Sequence, residues 1–193
     1  MIVGLGCSSG VGKDSAATAL CRDLGFRRIG FADKLKELAF EADPMILANQ
    51  MTNVGVGSGH LRKLVASVGG WDQAKTRFPE VRRFLQNLGQ GGRTVFGDDF
   101  WIEQALKGVD PADNVVIADV RYPNEFELVK SLGGRMVQIT RPGHEPYGHV
   151  SETSLVGYEF DAVIDNQGSL VDLEGKIVAL VKGWLTPAVD EVV

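Results

Sequence analysis

The chain is poor in cysteine, in net positive charge and in long apolar runs, and each shortage narrows what it does. Two cysteines, Cys7 and Cys21, in 193 residues cannot form a disulfide framework, so a reducing compartment, the cytoplasm, is expected. No apolar stretch approaches the ~18 residues that suggest a membrane span, and no basic, apolar and small-residue leader pattern opens the sequence. A soluble, unexported protein is the expectation. The 20 Lys+Arg are outnumbered by 25 Asp+Glu, for a net charge of -5. That balance argues against a nucleic acid polymer or an anionic membrane as the main partner, because both are bound through surplus cations. His144 and His149 lack metal-site spacing with any cysteine pair, so zinc is not expected. Internal repeats and low-complexity blocks are also missing; the 24 glycines are spread between apolar segments, as turn punctuation.

What is present is one domain's worth of apolar sequence, 44% of 193 residues, arranged as strands alternating with helices. Ile2 to Gly6 reads as a strand, Asp14 to Leu24 as a helix, Phe26 to Phe31 as a strand and Asp33 to Glu41 as a helix. Asp43 to Gly59 is less regular. Helices follow at Leu61–Val68, Val81–Leu88 and Asp98–Leu106, separated by GlyGly pairs and Pro79. Val115–Val120 is an apolar strand, followed by a helix from Pro123 through Leu132, a strand at Arg135–Thr140 and a loop over Arg141–Gly157. A short strand at Ala162–Ile164 and a helix at Leu170–Trp184 complete the pattern. Such alternation predicts an α/β fold, a parallel sheet covered on both faces.

The strongest local signal is LeuGlyCysSerSerGlyValGlyLysAsp, residues 5–14, between the first strand and the first helix. A phosphate-binding loop needs backbone N–H groups turned around an anion, glycines where side chains would block that approach, and a lysine for the outer phosphates. Gly10, Gly12 and Lys13 supply these parts. Against the pattern GxxxxGK(S/T), Cys7 replaces the first glycine and Asp14 the hydroxyl, with Ser15 next. Asp14 or Ser15 would then serve Mg2+, directly or through water. The plain alternative is a glycine-rich turn with an exposed lysine.

Asp119, at the end of the central strand, is placed to order Mg2+ or its waters; it also suits a helix-capping role. Lys34, Arg82, Arg83, Arg93, Arg121 and Arg141 fall on predicted loops or helix ends, and phosphoryl transfer needs several cations for donor, moving group and acceptor. Singly, each is as well explained as a solvated surface charge. Arg93 follows GlyGlnGlyGly, a segment with the backbone freedom to carry a cation into a cleft. Trp101, on an amphipathic helix, reads as a packing residue rather than a platform for a base.

Taken in order, PheAlaAspLysLeuLys (31–36), PheLeuGlnAsnLeuGlyGlnGlyGlyArg (84–93), AspAspPheTrpIle (98–102), IleAlaAspValArgTyrProAsnGlu (117–125), IleThrArgPro (139–142), HisValSerGlu (149–152) and AspAsnGlnGly (165–168) follow the GlyLysAspSer loop. This set closely resembles the deoxynucleoside monophosphate kinases, many of which are encoded by bacteriophages. The likeness runs from Val3 to about Leu180, and GlyLysAsp is that family's own variant of the loop; Cys7 remains a departure.

The resemblance implies a three-layer P-loop NTPase core like that of nucleoside monophosphate kinases, transferring the γ-phosphoryl group of ATP to a deoxynucleoside monophosphate with Mg2+. It implies one kinase domain over 1–193: core at 1–34 and 113–184, a mostly helical substrate-binding region at 35–112, and a lid at 141–157. Ser9, Gly10, Val11, Gly12, Lys13, Asp14 and Ser15 would hold the ATP phosphates, with Arg141 on phosphate or adenine. Asp33, Lys34, Arg82, Arg93, Asp119, Arg121, Glu125 and Glu152 would form the acceptor side, Glu125 bracing an arginine. Lys13, Arg93, Arg121 and Arg141 would stabilise transferring charge, and Asp14, Ser15 and Asp119 would attend Mg2+. A phosphate acceptor needs no strong general base, and none is named. A homodimer is left open.

Two other readings compete. In a dephospho-coenzyme A kinase-like enzyme, Asp33 would act as base on a hydroxyl, but the AspXArg strand end and GlyGlyArg segment fit a phosphate acceptor better. A non-kinase nucleotide-binding switch would hydrolyse ATP slowly and signal to a partner protein; a GTPase would carry an Asn/Thr-Lys-X-Asp signature, and the sequence has none.

Overall fold

The computed structural model describes residues 1–6, 10–48, 57–143 and 154–186. Cys7, Ser9, His144, His149 and Glu152, with most of the expected lid, lie outside the described residues. In chain order the elements begin with β1 (Ile2–Gly6), α1 (Lys13–Leu24), β2 (Arg27–Ile29), α2 (Phe31–Ala42), β3 (Met45–Ala48) and β4 (Gly57–His60). Then come α3 (Leu61–Ser67), α4 (Trp71–Arg77), α5 (Pro79–Phe96), α6 (Phe100–Leu106) and β5 (Val115–Val120). The chain ends through α7 (Pro123–Ser131), β6 (Arg135–Thr140), β7 (Ala162–Asp165) and α8 (Leu170–Leu185). It divides into two compact units, Met1–Gly30 with Leu106–Val193, and Phe31–Ala105.

The first unit is built on a five-stranded sheet in the order β2-β5-β1-β6-β7, with every pairing parallel. β1 and β5 are near-continuous apolar runs because both their faces are covered. Val3, Leu5, Val115, Val116, Ile117 and Val120 are fully buried. The crossover through α1 moves one way along the sheet and that through α7 the other, so right-handed connections put them on opposite faces. α8 packs on α1 and α7 on β1 and β6. Ala16, Ala17 and Ala19 of α1 let Leu173, Ile177 and Val181 of α8 join the same core. Asp161, just before β7, accepts from Lys130 Nζ at 2.8 Å and from the Met136 N–H at 2.6 Å. Burial works to raise its pKa, but the Lys130 ammonium and this N–H outweigh that and hold the carboxyl below its usual range.

The second unit holds α2 to α6 with the antiparallel β3–β4 pair. Its core is Ala39, Ile46, Leu61, Val65, Ala74, Val81 and Leu85. Arg62 closes the end of α2: Nε donates to the Phe40 carbonyl at 2.6 Å and Nη2 to the Glu41 carboxylate at 2.8 Å, with the guanidinium 5.1 Å from the Phe40 ring centroid. Cations at a helix C-terminus satisfy its last carbonyls in this way.

The sheet and most helices follow the sequence expectation, with four differences. Phe31 opens α2 instead of closing β2. The less regular stretch contains β3 and β4. Trp71–Arg77 forms a helix that the sequence pattern did not single out. Most consequential, GlyGlnGlyGlyArg is no flexible segment: α5 runs unbroken from Pro79 to Phe96, with Arg93 in its last turn. The reason lies in packing. A Cβ on Gly92 would come within 2.8–2.9 Å of the Trp101 indole, whose Nε1–H donates to the Gly89 carbonyl at 2.9 Å. Gly92 makes room for a ring. Among the described residues no helix is long and apolar enough to cross a membrane.

Gly92→Ala separates two effects of known size. Helix propensity alone favours alanine by about 1 kcal/mol, while overpacking a filled core costs about 1–3 kcal/mol. Trp101 is only 5% exposed and has nowhere to retreat, so the variant is expected to be less stable. A higher urea midpoint than native would show that the indole does not fill that space.

Candidate functional site

Because all five strands are parallel, their C-terminal ends share one edge. From β1 the chain crosses to β2 on one side, and from β5 it crosses to β6 on the other, so the topological switch falls between the neighbours β1 and β5. Ligands of open α/β sheets bind outside strand ends at that point. The register fixes which residues meet there. Gly6 pairs with Val120 on one side and Gln138 on the other, and Thr140 pairs with Asp165. Arg121 directly follows β5 and Arg141 directly follows β6, so the two cations leave from the strands flanking β1. Strand spacing separates those flanking strands by roughly 10 Å, two steps of the sheet.

Between them the chain passes from β1 through Gly10, Val11 and Gly12 into α1. Gly10 and Gly12 have φ of 80° and 106°, values that side chains other than glycine rarely adopt. Gly12 is the N-cap of α1 and offers no side-chain cap. α8 differs: the N–H of Asp172 donates to Ser169 Oγ at 3.2 Å, and the Asp172 carboxylate accepts the Ser169 N–H at 2.8 Å. That hydrogen bonding holds the Asp172 carboxyl below its usual range. The first amides of α1 carry the positive end of a twelve-residue helix with no such cap, an arrangement that favours an anion.

Among the described residues, Lys13 and Glu125 are the buried charged side chains, 7% and 3% exposed. Buried charge is costly and therefore informative. Lys13 opens α1. Glu125 lies in the first turn of α7, where one carboxylate oxygen accepts the N–H of Arg121 at 2.7 Å and of Tyr122 at 3.0 Å. These bonds hold the main chain of Arg121 at the strand end itself.

Asp119 is partly buried in β5, the break in an otherwise buried run. Asp14 is exposed and bonded to Arg28 Nη2 at 2.6 Å, and Ser15 is partly buried. Two carboxylates and a hydroxyl are the hard oxygen donors that suit Mg2+. The described residues hold no cluster of three or more His, Cys, Asp or Glu for a metal; Mg2+ held by one or two carboxylates, substrate phosphates and water needs none.

The other sequence-proposed residues stand in the second unit. Asp33 pairs with Lys36 at 3.1 Å and Lys34 with Glu37 at 2.6 Å along α2. Arg82 is exposed on α5, Arg83 pairs with Glu80, and Arg93 is partly buried. Trp101 is a packing residue, as its helix pattern indicated.

Three residues at the sheet edge carried no assigned role in the sequence. Arg28 reaches Asp14 from β2. Phe160 closes over the end of β1, where a Cβ on Gly6 would meet its ring at 2.5 Å. Asn166 Nδ2 donates to the Val11 carbonyl at 2.9 Å. The AspAsnGlnGly motif marked the last of these; nothing local marked the other two.

Glu125→Ala would leave the amides at the β5–α7 junction without their carboxylate. Loss of a charged hydrogen-bond partner at a helix start is expected to cost about 2 kcal/mol, read as a lower urea midpoint. Native stability in this variant would show that the carboxylate does not hold the junction.

The family model described as deoxynucleotide monophosphate kinase matches residues 69–177. A putative deoxynucleotide monophosphate kinase of Acanthamoeba polyphaga mimivirus is similar at 30% identity, over 94% of this chain and 96% of the relative. Deoxynucleotide monophosphate kinases of Escherichia phage RB69 and Enterobacteria phage T4 are each 31% identical, over 53% and 50% of this chain. Those two matches span 45% and 43% of the phage proteins, under half their length. A family match over more than half of the sequence, and a viral relative aligned nearly end to end, have one meaning: the chain belongs to the deoxynucleotide monophosphate kinase family.

Proposed function

We propose that the protein transfers the γ-phosphoryl group of ATP to the phosphate of a deoxynucleoside monophosphate, giving the diphosphate and ADP. The observation that carries this reading is the edge of the sheet: an uncapped α1 behind two left-handed glycines, with a buried lysine at its start and an arginine after each strand flanking β1. Phosphoryl transfer asks the protein mainly for positioning and positive charge. The amides of Gly10 to Ser15 receive the donor phosphates and Lys13 the outer ones. Arg121, its main chain held by Glu125, and Arg141 neutralise charge on the moving group. Asp33, Lys34, Arg82 and Arg93 of the second unit, with Glu152, serve the acceptor. Asp14, Ser15 and Asp119 are the residues that would hold Mg2+, which when bound neutralises phosphate charge. The acceptor is already an oxyanion, so no side chain has to remove a proton. The chain acts as a single kinase domain, with 141–157 as its lid, in the cytoplasm of an infected cell such as its viral and phage relatives encounter.

The test is an incubation with ATP, Mg2+ and each deoxynucleoside monophosphate in turn. Diphosphate product is expected with at least one. ATP binding without product would instead favour a nucleotide-binding switch. Lys13→Met, which keeps the apolar stem and removes the ammonium, is expected to lower turnover by about a hundred-fold or more, the scale seen when a transition-state charge partner is removed. Its thermal midpoint should stay close to native. Full activity, or collapse of the fold, would contradict the role given to Lys13.

A further inference from the structure

Asn166 follows β7 at the same sheet edge, and its main-chain N–H extends the β6–β7 ladder by donating to the Thr140 carbonyl at 2.8 Å. Its backbone is thereby set. Lys176 Nζ fixes the preceding carbonyl, that of Asp165, at 2.8 Å. From this anchored position the side-chain amide donates through Nδ2 to the Val11 carbonyl at 2.9 Å, across 155 residues of sequence. A carbonyl oxygen only accepts, so the chemistry requires the NH2 half of the amide there. The same segment presses on Gly12: a Cβ at that residue would lie 3.0 Å from Asn166 Nδ2 and 2.6 Å from Leu173 Cδ2.

The consequence comes from peptide planarity. The Val11 carbonyl and the Gly12 N–H belong to one rigid trans unit and point in opposite directions. Holding the carbonyl toward Asn166 turns the Gly12 N–H the other way. Gly10 and Gly12 both have positive φ, and glycine is the residue whose backbone most readily adopts other conformations. This peptide therefore needs an outside restraint.

We infer that Asn166 is a positioning residue for the phosphate loop: it holds the Val11–Gly12 peptide so that the Gly12 N–H faces the donor phosphates, without itself touching the nucleotide. The inference rests on the ATP-site reading above and adds a residue to it. Asn166 lies 150 or more residues beyond the loop that it orients.

Asn166→Asp tests it. The replacement is nearly isosteric, but an ionised carboxylate opposes the Val11 carbonyl with lone pairs instead of a donor. We expect the KM for ATP to rise about ten-fold at pH 8, in line with an unpaired buried acceptor, with the KM for the deoxynucleoside monophosphate within two-fold of native. A protonated carboxyl regains a donor, so the ratio of variant to native kcat/KM for ATP should climb as pH falls from 8 to 5.5. Asn166→Ala should show the same KM defect with no recovery on acidification. It also serves as the second variant, read by equilibrium ATP binding, if the aspartate form does not fold. An Asp variant with native KM for ATP at every pH, or one whose two KM values rise together with a lowered melting temperature, would overturn the inference. Calorimetry separates the layers: native protein that binds no ATP removes the ATP-site reading itself, whereas native binding matched by both variants removes only the role of Asn166.

Discussion

Everything at the sheet edge depends on β1 lying between β5 and β6. A central parallel strand must be covered on both faces, and residues 3–6 of β1 are buried accordingly. Its two glycines are where the neighbours come closest: a Cβ on Gly4 would meet the Met136 thioether and one on Gly6 the Phe160 ring. Phe160 in turn packs edge-on against Phe126 of α7, with ring centroids 5.2 Å apart. The strand that feeds the phosphate loop is therefore clamped by side chains from β6, α7 and the segment before β7. The parallel register then carries Arg121 and Arg141 to either side of the loop. Arg121 would leave from the opposite edge if β5 ran antiparallel, and one of the two arginines would lose its place beside the loop if β1 stood at an edge.

Charge is used sparingly within this frame. The chain is acidic overall, and most of its ion pairs are exposed surface contacts of small energetic weight, such as Arg22 with Asp23 and Lys75 with Asp72. The exceptions mark the site. Lys13 and Glu125 are buried, one beginning α1 and the other beginning α7, the two crossover helices that leave the adjacent strands β1 and β5. Glu125 closes the start of α7 with its carboxylate. The start of α1 has no such side-chain cap, and under the proposed function that difference between two neighbouring helix ends makes one a structural junction and the other the place for phosphate.

Much of the sheet was legible in the sequence because continuous apolar runs and helical spacing report burial directly. Val115–Val120 and Arg135–Thr140 have the bounds that the sequence pattern predicts, with AspAsn and GlyGly before them and a proline within three residues after each. The middle of the chain was harder, for a physical reason. GlyGlnGlyGly has the composition of a flexible segment, yet the chain folds it as helix, and Trp101, nine residues past Gly92, fills the space that the missing side chain of Gly92 leaves. No local rule contains that information. The site divides the same way: Gly10, Gly12 and Lys13 announce themselves by spacing, whereas the contacts of Arg28 to Asp14 and of Phe160 to Gly6 exist only once strands from distant parts of the sequence lie side by side.

The extent of the family match sharpens this division. It covers residues 69–177, beyond the loop between β1 and α1. The matched stretch holds α4 to α6 of the second unit and β5, α7, β6 and β7 of the first. Arg93, Asp119, Arg121, Glu125 and Arg141 all fall within that stretch, and so does Asn166. The Asn166–Val11 hydrogen bond joins that stretch to the loop before it: from the end of the last strand of the sheet, Asn166 restrains a peptide of the loop between β1 and α1.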